Sequence, residues 1–185
     1  MRRKFLFSFI VSISLVTLWG CVNEADNKVS SEPTWKREFE QVLPLLGHRN
    51  WILIVDKAYP LQSAAGMTYI NSAEPIEDVL NYVVESIDCA THIKPIIYTD
   101  KEFSILKDFG GAEADMVATI EGALAGREVQ SILHDDIFTK LDAASKLFNV
   151  VVIKTESTVA YSSVFIELDC GYWTAEKEAQ LRSKL

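Results

Sequence analysis

Most of the groups that support cofactor chemistry are missing from this sequence. Only three of its 185 residues are histidine and three are cysteine. No two histidines share a metal-ligand spacing, and no pair of cysteines forms a zinc or redox motif. A metal site gathered from His48, Asp56 and His134 stays open, but no spacing calls for one, so no metal or other cofactor is expected. There is no G-x-S-x-G nucleophile elbow, no phosphate-binding loop and no G-x-G-x-x-G dinucleotide fingerprint. Gly110-Gly111 by itself is a helix stop and makes no phosphate cradle. Positive charge is also short, with 18 basic against 26 acidic side chains and a net charge of −8. A nucleic-acid surface needs a basic patch to neutralise phosphates, so that class of partner is excluded. Internal repeats and low-complexity segments are absent too. What is there is a hydrophobic fraction of 49% and an aromatic fraction of 10%, which exclude disorder. The length suits one domain with a sizeable core.

The chain opens on basic Arg2, Arg3 and Lys4, followed by an apolar run, Phe5 to Leu18, broken only by Ser8, Ser12, Ser14 and Thr17. That run is too short for a bilayer-spanning helix, which needs about 20 residues. Leu18-Trp19-Gly20-Cys21 then resembles a bacterial lipobox, which implies cleavage before Cys21 and acylation of that residue. Several acyl chains make a stable anchor where one is marginal. The alternatives are an ordinary N-terminal helix or an uncleaved anchor. Cleavage would remove 20 residues carrying three basic and no acidic side chains, taking the chain from 185 to 165 residues and the net charge from −8 to −11. The expected organisation is a signal peptide at 1–20, a polar, flexible tether at 21–33, a folded domain at 34–173 and a charged helical tail at 174–185. The expected location is the bacterial cell envelope, with a membrane partner through the lipid and the domain on the periplasmic or surface side. Val22 stands where inner-membrane retention would want Asp, which favours the outer membrane. An exported compartment permits a Cys89–Cys170 disulfide; two buried free thiols are the alternative.

From residue 35 onward, helix and strand patterns alternate. Helical spacing marks Trp35 to Leu46, Pro75 to Ile87, Lys101 to Phe109, Ala112 to Ala125 and Asp135 to Phe148. Continuous apolar runs mark strands at Trp51–Val55, Lys94–Thr99, Val129–Leu133, Val150–Lys154 and Val164–Leu168, with a long loop from Lys57 to Asn71. Such alternation predicts a three-layer α/β/α domain with a mostly parallel central sheet. Ligands of such sheets sit beyond the carboxyl ends of the strands. That rule points to Asp56 and the loop after it, Asp100, His134, and the turn from Thr155 to Tyr161. Of the tryptophans, Trp35, Trp51 and Trp173 could stack on a bound ligand, with core packing the alternative for Trp51 and an end-of-domain anchor for Trp173.

The strongest local feature runs from Leu46 to Pro60. Gly47-His48 precedes the apolar strand and Asp56 follows it, eight residues from His48 and four before Pro60. A lone histidine beside an apolar run is commonly structural, and an aspartate after a strand commonly caps a turn. The spacing, however, resembles the ribose pyranase and fucose mutarotase family (RbsD/FucU-like). The resemblance extends from about Trp35 to Trp173, through Pro75–Ile87, Lys94-Pro95-Ile96-Ile97-Tyr98, Ala144–Phe148, Lys154-Thr155-Glu156 and Ala160-Tyr161-Ser162-Ser163-Val164. It implies a monosaccharide ligand and cofactor-free acid–base opening of the sugar ring. It implies His48 as principal proton-transfer group, with Asp56 orienting it or binding hydroxyls. Tyr161 becomes a substrate-contacting donor, and His134 and Ser163 hold hydroxyls. It also implies a homo-oligomeric ring with sites at subunit contacts. Three departures stand out. Ser163 replaces an asparagine and offers one donor in place of two, the glycine of the Thr-Gly-Glu turn is missing, and residues are added around Lys154 to Val159. The alternative function is therefore a non-catalytic sugar-binding or scaffolding lipoprotein of the same fold. An unrelated fold with coincidental motifs would leave His48, Asp56 and Tyr161 more than about 12 Å apart, beyond the reach of groups that share one sugar.

Overall fold

The computed structural model describes residues 34–185. The expected signal peptide, Cys21 and the tether lie outside the described residues. In order, the elements are α1 (Thr34–Val42), β1 (Trp51–Val55), β2 (Met67–Asn71), α2 (Ile76–Cys89), β3 (Ile93–Asp100), a 3-10 segment (Phe103–Phe109), α3 (Gly111–Ala123), β4 (Val129–Ile132), α4 (His134–Ala144), β5 (Val150–Lys154), β6 (Val164–Cys170) and α5 (Ala175–Arg182). The strands form one six-stranded sheet in the order β2-β5-β1-β6-β3-β4. β1, β2, β3, β4 and β5 run the same way, and β6 lies antiparallel between β1 and β3.

The three layers follow from the two-residue period of the strands. On β1, Ile52 and Ile54 join one core with Val151, Ile153, Val164 and Ile166, packed against side chains of α1, α2 and α3. The alternate residues Trp51, Leu53 and Val55 join a second core with Val150, Val152 and Phe165, closed by Ile137 and Leu141 of α4. Because both faces are covered, β1 is buried throughout and reads as a continuous apolar run. Ile137 and Leu141 are fully buried, and each such side chain stabilises the fold by about 1.5–3 kcal/mol. Trp35 and Trp51 are core residues, whereas Trp173 is partly exposed and donates its indole N–H to Glu178. α2 follows Pro75 with Glu77 and Asp78 in its first turn, where negative charge complements the helix dipole.

Three expectations need correcting. The stretch read as a loop from Lys57 to Asn71 contains β2, an edge strand in which only Ile70 is buried, so no apolar run announced it. Its entry requires Gly66, where a Cβ would lie 2.4 Å from both Ser145 O and Phe148 O. The helix expected to reach Phe148 ends at Ala144, because the chain there turns to meet Gly66: Gly66 N–H donates to Ser145 O at 3.1 Å and Val150 N–H to Gly66 O at 2.9 Å. Cys89 and Cys170 are free thiols, and Cys89 is exposed rather than buried. No helix among the described residues is long and apolar enough to cross a membrane.

Candidate functional site

The strand directions decide which side chains meet. β1, β3 and β4 end at one edge of the sheet, and the antiparallel β6 starts there. Asp56 follows β1, Asp100 ends β3, His134 opens α4 just after β4, and Tyr161 and Ser163 precede β6. Asp56, His134, Tyr161 and Ser163 line one cavity of about 600 Å³, together with Tyr59 and Phe138. That volume suits a small-molecule ligand.

His134 is held on several sides. Its Nδ1 lies 3.0 Å from Asp100 Oδ2. Its backbone N–H donates to the Glu102 carboxylate, at 3.2 Å to Oε2. Phe138, one helical turn on, packs a ring against it at 4.7 Å between centroids, and Tyr161 presents a near-perpendicular ring at 5.1 Å. Asp100 is 1% exposed, and its Oδ1 has no partner. Burial pushes its carboxyl up to about 6; the hydrogen bond and charge of His134 oppose that rise, and Glu102 and Asp56 add to it.

The opposite wall comes from the segment between β5 and β6. Serine and threonine side chains tie the chain there. The Thr155 hydroxyl donates to Val55 O at 2.8 Å, and that of Ser162 to Val159 O at 2.8 Å. Ser157 Oγ and Ser162 Oγ lie 3.0 Å apart. Lys57 crosses to this segment through an ion pair with Glu156. Tyr161 then adopts φ 58°, the left-handed region in which a bulky side chain is strained by about 1–3 kcal/mol. That backbone sets the Tyr161 ring edge-on to His134. The Ser163 hydroxyl donates to Asp56 Oδ2 at 3.2 Å and accepts the Asp56 N–H at 3.4 Å. Asp56 Oδ1 accepts the Ala58 N–H at 2.8 Å. The single hydroxyl proton of Ser163 is thus directed to Asp56 rather than to the cavity.

His48 stands elsewhere. It precedes β1, at the other edge of the sheet, and its Nδ1 lies 3.3 Å from Asp169 Oδ1, with Lys94 Nζ 3.1 Å from Asp169 Oδ2. The five residues of β1 alone put about 13 Å between the two edges, four steps of about 3.3 Å. Within one chain, then, Asp56, Tyr161, Ser163 and His134 come together and His48 does not join them. His48 borders a second groove of about 380 Å³ with Arg49, Trp51, Lys140 and Phe148.

Sequence reasoning left one partnership unread and did not single out two residues. Asp100 sits where the strand-end rule pointed, yet nothing local tied it to His134, 34 positions away. Phe138 could have been read from its i+4 spacing to His134. Tyr59 stacks on Phe138 at 5.7 Å, its hydroxyl is buried without a partner, and burial pushes that phenol well above its ordinary value.

No protein-family model matches the chain, and no curated protein matches it in sequence. Solved structures do. RbsD of Bacillus subtilis, solved in complex with D-ribose, superposes with a TM-score of 0.52 at 16% identity, over 74% of this chain and 93% of that one. FucU of Bifidobacterium longum superposes with a TM-score of 0.50 at 13% identity, over 72% of this chain and 92% of that one. The shared architecture, a six-stranded, mostly parallel sheet between helical layers, is the RbsD-like fold.

Proposed function

We propose that the chain is a mutarotase or pyranase that interconverts anomers or ring forms of a free ribose- or fucose-like monosaccharide without a cofactor. One observation carries this reading: Asp56, His134, Tyr161 and Ser163, from three separate segments, line a single cavity of sugar-binding size. The D-ribose bound to RbsD of the same fold supports a monosaccharide ligand.

The reaction asks little of the protein. A base takes the proton of the anomeric hydroxyl while the bond from the anomeric carbon to the ring oxygen breaks. The electron pair of that bond goes to the ring oxygen, which takes a proton from an acid. The open-chain carbonyl form re-closes on either face, and the two protons return. Imidazole suits the work because its ordinary pKa lies near neutrality. Within one chain His134 stands at the cavity and takes the proton-transfer role, with Tyr161 as donor and Asp56 for hydroxyls. His48 takes part when a second copy of the chain brings it to this cavity, in keeping with a homo-oligomeric ring. On this reading the protein works from the cell envelope, and loss of labelled palmitate in Cys21→Ser tests the lipid anchor.

The second reading, a non-catalytic sugar-binding lipoprotein, is favoured by one contact, the commitment of the Ser163 proton to Asp56. Saturation-exchange NMR between anomers of ribose, fucose and a wider sugar panel separates the two, using a soluble form that starts at Cys21→Ser. Acceleration that drops by on the order of 10²–10⁴-fold in His134→Ala supports the enzyme. Binding of a sugar with no acceleration of any sugar supports the binding protein.

A further inference from the structure

We propose that Asp100 is a positioning residue that sets the tautomer of His134, keeping the proton on Nδ1 and leaving Nε2 as the base for the sugar. The inference rests on the mutarotase reading and adds a residue and a proton location to it.

The argument begins with burial. Asp100 is 1% exposed at the end of β3, and one of its two oxygens has no partner. A carboxylate left half-satisfied in the interior is a poor stabilising device, because desolvation offsets much of what the pair gains. Its other oxygen, Oδ2, meets Nδ1 of the histidine that lines the cavity, at 3.0 Å. Every other contact of His134 also restricts it. Glu102 accepts its backbone N–H, Phe138 packs against the ring, and Tyr161, on strained backbone, faces it edge-on. An imidazole whose position and one nitrogen are both assigned has a single ring nitrogen left for chemistry. A carboxylate that accepts from Nδ1–H holds the ring in that tautomer and stabilises the imidazolium formed when Nε2 takes a proton. The groups that face Asp100 are His134 from α4, Glu102 from the segment after β3, and Asp56 from the segment after β1. The two acids oppose its ionisation and His134 favours it, so the carboxylate is the form at the neutral pH where the base must work.

The test begins with the wild-type protein, so it does not depend on any variant folding. Long-range proton–nitrogen NMR of labelled protein at pH 7.5 reads which ring nitrogen of His134 carries the proton. His134→Gln identifies the signal among the three histidines. The expected result is a proton on Nδ1; a proton on Nε2 overturns the proposal. Asp100→Asn is expected to shift the proton toward Nε2 and to lower the kcat for anomer exchange by on the order of 10²-fold or more, with the KM for the sugar little changed. Unchanged kcat and an unchanged pH profile in a folded Asp100→Asn would also overturn it. The failures are distinguishable. Exchange catalysis with the proton on Nε2 removes Asp100 from the mechanism and leaves the mutarotase reading standing. A proton on Nδ1 without acceleration of any sugar removes the mutarotase reading, and with it the role assigned to Asp100.

Discussion

The two edges of the sheet each carry a histidine–aspartate pair, built differently. At the edge where β1 and β3 end, His134 Nδ1 meets Asp100 at 3.0 Å, and the aspartate side chain is 0% exposed. At the other edge, His48 Nδ1 meets Asp169 at 3.3 Å, with His48 56% and Asp169 31% exposed. The same two residue types have opposite electrostatics. Burial pushes Asp100 up to about 6. Burial acts upward on Asp169 too, but the Cys170 amide, Lys94 and His48 together hold it below the usual carboxylate range. Asp100 therefore depends on one histidine, whereas Asp169 shares its charge among several donors and water. The first arrangement couples an aspartate to a single imidazole beside a cavity, and the second resembles an ordinary surface network.

Stability against pH should show the difference most strongly. The carboxyl of Asp100 titrates at about 6 when folded and near 3.8 when unfolded. The folded state thus binds the extra proton between those values, and the contribution of Asp100 to stability falls as pH rises from about 4 through 6. Two pKa units correspond to about 3 kcal/mol at most. Chemical denaturation of wild type and Asp100→Asn at pH 4 and pH 7 should show the wild type losing ground to the variant by up to that amount on going to pH 7. Asp169→Asn should show the opposite sign, because a lowered carboxyl contributes stability above its unfolded value and loses it on acidification. Its size should be a fraction of the Asp100 effect, since solvent screens that pair. A wild type that gains on Asp100→Asn between pH 4 and 7 would break the contrast.

Tyr161 sharpens it in another way. The cavity edge carries a tyrosine at φ 58°. Glycine adopts that conformation freely, so Tyr161→Gly relieves roughly 1 kcal/mol of strain while losing the ring contact with His134. The expected outcome is a midpoint of unfolding within about 1 kcal/mol of wild type, together with a large loss of anomer exchange. A loss of stability well beyond that, with exchange intact, would mean that the tyrosine serves packing and not the site.

The two edges also differed in how far the sequence disclosed them. β1 and β5 are covered on both faces, so burial wrote itself into their composition as unbroken apolar runs, and the three-layer fold followed. β2 escaped because an edge strand with one buried side chain has no such run. Asp56, His134 and Tyr161 stand where the strand-end rule pointed, and Ser163 lines the same cavity two residues on from Tyr161. The partnership of Asp100 with His134 was not legible, because it is made by the crossover from β3 to β4 and has no local pattern. The reach of β1 likewise hides in the spacing of eight from His48 to Asp56: a motif continuous in sequence is divided by a strand that runs between the two edges. The separation expected to mark an unrelated fold occurs here in an RbsD-like one, so the distance between these residues within one chain does not decide the fold.

The smallest effect on stability belongs to His48, and it bears most directly on that point. An exposed pair of this kind contributes about 0–1 kcal/mol, so His48→Ala should unfold within about 0.5 kcal/mol of wild type. Its effect on anomer exchange depends on assembly. If the cavity of each chain is complete in itself, His48→Ala retains full exchange activity. If a second copy supplies His48, the variant loses exchange while keeping its stability. Mixing it with His134→Ala, followed by reassembly, should then restore part of the activity, because some cavities receive both intact histidines. Restoration requires the two histidines to act at one site from different chains. Its absence, with both variants folded and inactive alone, would confine each histidine to its own chain and leave His48 acting across the length of β1, which direct proton transfer cannot span.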